Sequence, residues 1–229
     1  MLEASLQRII ETVPDDAVVL DIGGWAKPLP RADWVLDLMP YETRGLYGSL
    51  SPDQERFTPD TWIERDICDP EPYPFADNAI DFVVCSHTLE DIRDPIQVCR
   101  EMARIAKAGY IEVPSRHEEQ AWGVNGKFAG WSHHRWLVDP IPGGLEFVFK
   151  FGVVHGRQAN HFPAGYSEAL SSEQRVLQVW WTGSFEFRER IFMVPAELDA
   201  YLAEFVERGL RENGPAPGGR SRRLRRRST

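Results

Sequence analysis

Apolar residues at Leu2, Leu6, Ile9, Ile10 and Val13 recur three and four positions apart and predict an amphipathic helix, stopped by Pro14 and two acids. The pattern then changes to short apolar runs. Residues 17–22, 33–38, 62–67, 80–85 and 110–113 predict five strands, the fourth a continuous buried run broken only by Asp81. Before the fifth, Asp94 is placed to cap a helix with Pro95 in its first turn. Ile96, Cys99, Met102, Ala103 and Ala106 form its inner face, and Ala108-Gly109 is expected to close it. About ten residues, among them Gly24, Pro28 and Pro30, separate the first two runs, too few for a full crossover helix. Residues 39–60 lack periodicity and read as a loop with one short helix, covering a ligand. Residues 145–155 and 175–193 are rich in β-formers and are expected to be an antiparallel pair closing the sheet, with Gly183 at a bulge. A last helix starts near Pro195 with Leu198, Leu202 and Phe205 inward. The fold class is therefore α/β, with a mostly parallel sheet and a C-terminal antiparallel strand pair.

The segment AVVLDIGGWAKPLPRADWVLD, residues 17–37, puts a glycine turn after one strand and an acid, Asp37, at the end of the next. Open α/β sheets hold nucleosides at this edge, and a carboxylate there accepts hydrogen bonds from a ribose diol. A nicotinamide dinucleotide requires G-x-G-x-x-G, whereas this turn reads Gly23-Gly24-Trp25-Ala26-Lys27. Asp21 at the end of the first strand would repel a pyrophosphate but suits an amino group beside a sulfonium. The turn favours S-adenosylmethionine over NAD.

The chain has 229 residues and a net charge of −9, with eight tryptophans and no apolar run long enough to span a membrane. That charge is unevenly spread. Arg220, Arg222, Arg223, Arg225, Arg226 and Arg227 crowd the end, leaving 20 basic against 35 acidic residues, or −15, for the remainder. An acidic body argues against nucleic acid as its ligand. Residues 214–229 read as a Gly/Pro linker and a disordered Arg-rich tail, and residues 1–213 as one domain. Cys68, Cys85 and Cys99 are odd in number and without metal spacing, and an acid-bearing N-terminus is no signal peptide, so a cytoplasmic, reduced protein is expected.

LDIGG ending the first strand, Asp37 ending the second, and RDICDPEPYPFADNAIDFVVCSHTLEDIRDP together resemble the class I S-adenosylmethionine-dependent methyltransferases. The likeness is strongest to the small-molecule type with a PF-x-D-x-x-x-D phrase before strand four, and it covers residues 15–115. It implies a Rossmann-like sheet and S-adenosylmethionine as cofactor; a metal is not expected, although some members of the superfamily use magnesium. It implies further that Asp21, Gly23 and Gly24 line the methionine moiety, that Asp37 and Leu38 meet the ribose, and that Asp66 and Ile67 read the adenine edge. Ser86 and His87 would lie under the methionine. Trp25, where a second glycine is usual, and the short first crossover depart from the pattern.

Methyl transfer to a hydroxyl needs alignment and a base, for which histidine is suited. His134, then His133, in the long segment after strand five, and His117 just beyond that strand are the candidates. The histidines, with Glu118, Glu119 and Asp139, match no zinc spacing, and Glu90-Asp91 is the place where a magnesium site would lie. Arg116 and Arg135 could grip an acidic acceptor, and Trp122, Trp131 and Trp136 could stack on a ring or floor a lid. Segments 115–140 and 156–174 are expected to be lid and cap. The resulting expectation is O-methylation of a sugar, polyol or natural-product hydroxyl. Two alternatives are an RNA methyltransferase tethered by the tail, and a cofactor-binding regulator without catalysis. Exposed aromatic β segments also allow a homodimer.

Overall fold

The computed structural model describes residues 1–48 and 52–214. The Arg-rich tail, and the disorder expected of it, therefore lie outside the described residues. Six strands form the main sheet: β1 (Val19–Ile22), β2 (Trp34–Asp37), β3 (Trp62–Glu64), β4 (Phe82–Ser86), β5 (Ala108–Pro114) and β8 (Val176–Thr182). Their spatial order is β3-β2-β1-β4-β5-β8, the first five parallel and β8 antiparallel to β5. The order reverses at β1 and β4, so a crevice opens at their carboxyl ends.

The acids that interrupt the apolar runs tie strand ends together. Asp81 accepts from the Val18 amide (2.9 Å) and pairs with Lys107 (2.6 Å), and Asp33 accepts from the Val19 amide (2.8 Å). Helix α1 (Glu3–Thr12) buries Ile9 against one face of the sheet but leaves Ile10 exposed, contrary to the five-residue stripe expected. Helix α2 (Pro95–Ile105) covers the other face with Val98, Cys99, Met102 and Ile105, and Asp94 caps it by accepting from the Gln97 amide (2.9 Å). No helix joins β1 to β2, as the short spacing requires.

Two expectations are corrected. Ala108-Gly109 does not close α2; both residues already belong to β5. A Cβ on Gly109 would stand 2.7 Å from both the Trp181 ring and the Val83 carbonyl, so glycine serves close strand packing there. Nor do the two late β-rich stretches pair with each other in the main sheet. Gly183, at φ +77°, ends β8 and breaks residues 175–193 in two. Only β8 joins the main sheet. The rest enters a second sheet of β6 (Trp136–Ile141), β7 (Gly144–Phe149) and β9 (Glu186–Glu189), with β6 and β7 antiparallel. After the one-turn helix α4 (Val153–Gly156), helix α5 (Pro195–Asn213) closes the fold through Leu198, Leu202 and Val206, with Phe205 partly buried.

The second sheet packs Trp136, Val138, Leu145 and Phe147 into the same core as the main sheet, and backbone bonds tie it to the loop after β4. The Glu90 carbonyl, just past β4, accepts from the amides of Arg135 (2.7 Å) and Trp136 (3.0 Å), and the Trp136 indole donates to the Ile92 carbonyl (2.9 Å). The chain leaves the main sheet after β5, builds β6 and β7, returns for β8 and leaves again for β9.

Candidate active site

A cavity of about 870 Å³ opens at the carboxyl ends of β1, β2, β4 and β5. That is within the range of small-ligand sites. Gly23, Trp25, Asp37, Leu38, Asp66, Ile67 and His87 line one part; Pro114, Glu118, Trp131, His133, His134, Arg135 and Arg175 line another. Glu90 lies between them in the chain and lines it too.

Gly23 has φ +76° and donates to the Leu36 carbonyl (2.9 Å), and a Cβ there would fall 2.2 Å from Thr88 Oγ1. Glycine is thus required for β1 to turn beneath the loop after β4. Asp37 accepts from the Trp25 amide at Oδ2 (3.0 Å) and the Met39 amide at Oδ1 (2.9 Å). With the Leu38 amide also directed at it, the carboxylate is held by three backbone donors and keeps acceptor capacity for a ribose hydroxyl. Burial raises its pKa against those amide bonds. Trp25, in place of the usual glycine, turns its indole away to donate to the Thr43 carbonyl (2.7 Å). The loop beyond is zipped to the glycine turn, Gly45 donating to Trp25 O (2.8 Å) and Tyr47 to Ala26 O (2.9 Å). Its exposed Leu46 and Tyr47, with Leu38, give the cavity an apolar rim. One-turn helices at Tyr41–Thr43, Pro52–Gln54 and Pro59–Thr61 replace the single helix expected of this loop.

Not every expected residue reaches the cavity. Asp21 is buried and accepts from the Leu29 amide (2.8 Å), where it shapes the loop from behind. Burial, opposed by that bond and reinforced by Asp37, pushes its pKa up to about 7. Gly24 rests on the Asp21 carboxylate, and neither Gly24 nor Ser86 lines the cavity. Asp66 and Ile67 do, but both Asp66 oxygens are engaged, by the Cys68 amide (2.8 Å) and Arg93 (3.1 Å). His117 is also out of place. It stacks among Phe162, Tyr166 and Phe205, bonds the Tyr166 hydroxyl (2.9 Å), and burial lowers its pKa.

Arg116 is likewise structural, buried between Asp139 (3.0 Å) and Gln120 (2.8 Å) and stacked on Tyr201 and Phe205. Of the tryptophans, Trp131 lines the cavity, Trp122 packs on His161, and Trp136 is core. Segment 156–174 braces residues 120–122 and α5, with only Ser172 on the cavity.

The histidines at 133 and 134 do line it. His134 Nδ1 meets Glu119 Oε1 at 2.7 Å, Glu119 Oε2 meets Lys150 Nζ at 2.5 Å, and Lys150 donates to the Trp131 carbonyl (3.0 Å). Glu119 and Lys150 are fully buried. Glu119 comes from a short helix, α3 (Arg116–Glu119), capped by Ser115, and Lys150 directly follows β7. His133 is exposed and packs edge-on against His134 and Trp131. Across the cavity wall His87, at φ +54°, bonds Glu112 through Nε2 (3.0 Å). Among the described residues no group of three or more metal-ligating side chains gathers.

Residues 49–111 match the family model described as a methyltransferase domain, well under half of the chain but spanning β3, β4 and α2. Over that stretch the chain is similar to methyltransferases. Solved structures similar to this chain include the YcgJ protein of Bacillus subtilis, at 20% identity over 50% of this chain and 52% of that one, TM-score 0.40. Another is a possible histamine N-methyltransferase of Thermotoga maritima, at 18% identity over 49% and 51%, TM-score 0.35. A complex between the Haloferax volcanii Trm112 methyltransferase activator and a methyltransferase matches at 16% identity over 81% and 89%, TM-score 0.47. The chain spans about half the length of the solved structures it first matches. No curated protein matches.

The second half of the site escaped sequence reasoning in part. Glu119 was visible only as one possible ligand among many, and Lys150 carried one signal, a lysine directly after the apolar run LEFVF. Glu112, an acid inside YIEVP, was a similar signal.

Proposed function

We propose that this chain is an enzyme that transfers a methyl group from S-adenosylmethionine to a hydroxyl of a small acceptor, with His134 as general base. The observation that carries this reading is the buried Glu119 behind His134 Nδ1 on the cavity wall. The cavity residues fit the cofactor: a carboxylate with acceptor capacity at the end of β2, apolar Leu38 and Ile67 beside it, and a glycine turn that keeps side chains clear. Asp37, Leu38 and Ile67 would hold its nucleoside, with Gly23 and His87 at the methionine end. Asp21, Gly24 and Ser86 act one layer behind. When bound, the cofactor supplies a methyl group activated by a sulfonium.

The chain supplies position and a proton acceptor. Glu119 accepts from Nδ1 and so fixes the tautomer that leaves the Nε2 lone pair free; no residue among those described bonds Nε2. As the acceptor hydroxyl gives its proton to Nε2, the Glu119 carboxylate stabilises the imidazolium. Lys150 holds Glu119 in place and balances its charge in the dry interior. His133, exposed at the same rim, is placed to contact the acceptor. Residues 1–213 then act as one domain, with 115–135 as the acceptor wall.

Calorimetry with S-adenosylmethionine, S-adenosylhomocysteine and NAD tests the cofactor half. Saturable binding of the two sulfur ligands but not NAD is expected. Asp37→Ala should weaken that binding by about 1–3 kcal/mol, the cost of losing a hydrogen bond to a charged group. No binding of either sulfur ligand would end the reading.

A further inference from the structure

Four buried side-chain polar atoms lack a partner among the described residues, and two of them belong to this cavity's lining: Glu90 Oε2 and Arg175 Nε. Buried polar atoms are nearly always paired, so two orphans in one cavity call for a ligand. Glu90 is almost wholly buried, and its backbone carbonyl holds the wall that carries His134. Burial, with Glu119, Asp91 and Glu112 nearby, raises its carboxyl well above the usual carboxylate range and favours the protonated form, which has both a donor and an acceptor to offer.

Arg175 stands at the entry to β8, where its carbonyl accepts from the Ser115 amide (2.8 Å) and sets it beside the end of β5, on the acceptor side. Its guanidinium forms no ion pair, hydrogen bond or ring contact among the described residues. Glu118 is close enough to feel its charge, yet Glu118 Oε2 already accepts from Ser167 Oγ (2.5 Å). A free guanidinium is a fork for carboxylate or phosphate oxygens.

We propose that the acceptor is an anionic polyol, its carboxylate or phosphate held by Arg175 and one of its hydroxyls by Glu90. This rests on the small-acceptor reading above and names the acceptor's charge. A neutral sugar would leave the guanidinium unmatched, and a cationic acceptor would be repelled by it. The two residues thus select the acceptor, while His134 takes the proton.

The full chain saturated with S-adenosylhomocysteine is titrated with glucuronate, glucose 6-phosphate and glucose by ligand-observed NMR. At least one anionic sugar should bind about tenfold or more tighter than glucose, and which one it is separates carboxylate from phosphate recognition. Arg175→Met should bring that sugar to the level of glucose with S-adenosylhomocysteine affinity unchanged, and Arg175→Lys should keep part of the preference. Glu90→Leu should weaken all sugars, and Glu90→Gln should restore most of that loss. Equal affinity for the three sugars, or binding of none, overturns the proposal. So does an Arg175→Met variant that loses S-adenosylhomocysteine instead, which would place the guanidinium at the cofactor. Failure of the wild-type chain to bind S-adenosylhomocysteine defeats the parent reading, a separate readout.

Discussion

Two histidines on this cavity each lean on a buried glutamate, yet the two pairs are built for different work. His87 presents Nε2 to Glu112 and sits with 42% of its side chain exposed, on a strained backbone; its Nδ1 is 3.9 Å from Glu90. His134 presents Nδ1 to Glu119, with only 9% exposed, and leaves Nε2 without a protein partner among the described residues. Behind His87, Glu112 also accepts from the Leu2 amide and the Tyr110 hydroxyl, so that glutamate ties α1 to β5. Behind His134 there is a buried lysine that holds the glutamate and, through the Trp131 carbonyl, the loop carrying the histidine. A carboxylate spread over several structural donors anchors a fold; one shared between a cation and an imidazole orients a base.

The sharpest test of that contrast is catalytic. His134→Ala should lower methyl transfer by about 10²–10⁴-fold with cofactor affinity intact, the usual worth of a general base. His87→Ala should change cofactor affinity more than turnover. Equal losses of turnover in the two variants would erase the distinction.

Stability separates the glutamates next. Glu119→Gln leaves Lys150 buried without its counter-charge and should cost about 3–5 kcal/mol in urea unfolding. Glu112→Gln keeps an acceptor for its donors, and its cost should stay near 1–3 kcal/mol.

The last contrast is in pH dependence. Burial works to raise the Glu112 pKa, but bonds from His87, the Leu2 amide and Tyr110 outweigh it and hold it at about 2 against an ordinary 4.5. The folded state therefore binds this proton less tightly than the unfolded, and the stability Glu112 lends is full above about 4.5 and lost as pH falls towards 2. Asp21 behaves oppositely. With its pKa near 7 against 3.8, the folded state binds the proton more tightly, so stability drains as pH climbs between those values and the loss is complete above about 7. Unfolding free energies from urea titrations between pH 4 and 8 should decline in wild type more than in Asp21→Asn, at ~1.4 kcal/mol for each pKa unit of the shift.

How much of this was legible follows from the range of the contacts involved. The glycine turn, Asp37, the Asp94 cap and the missing crossover helix depend on residues near one another in sequence, and the pattern of apolar runs displayed them. His134 was visible as a histidine in a long loop, but its partner Glu119 lies 15 residues away and Lys150 a further 31 from Glu119. His117 and Arg116 looked as promising by spacing, and only packing against α5 and Tyr166 removes them from the cavity. Asp21 misled for a related reason: a strand-end acid reads alike whether it faces a ligand or, as here, the Leu29 amide. The two late strands were visible as strands. Their division between sheets was not, because one glycine at positive φ decides it.

The path of the chain between the sheets has a corollary. Because β8 lies between β7 and β9 in the chain but belongs to the other sheet, no single cut releases the second sheet as a cassette. The two sheets are thus laced into one unit, and the whole body should melt cooperatively.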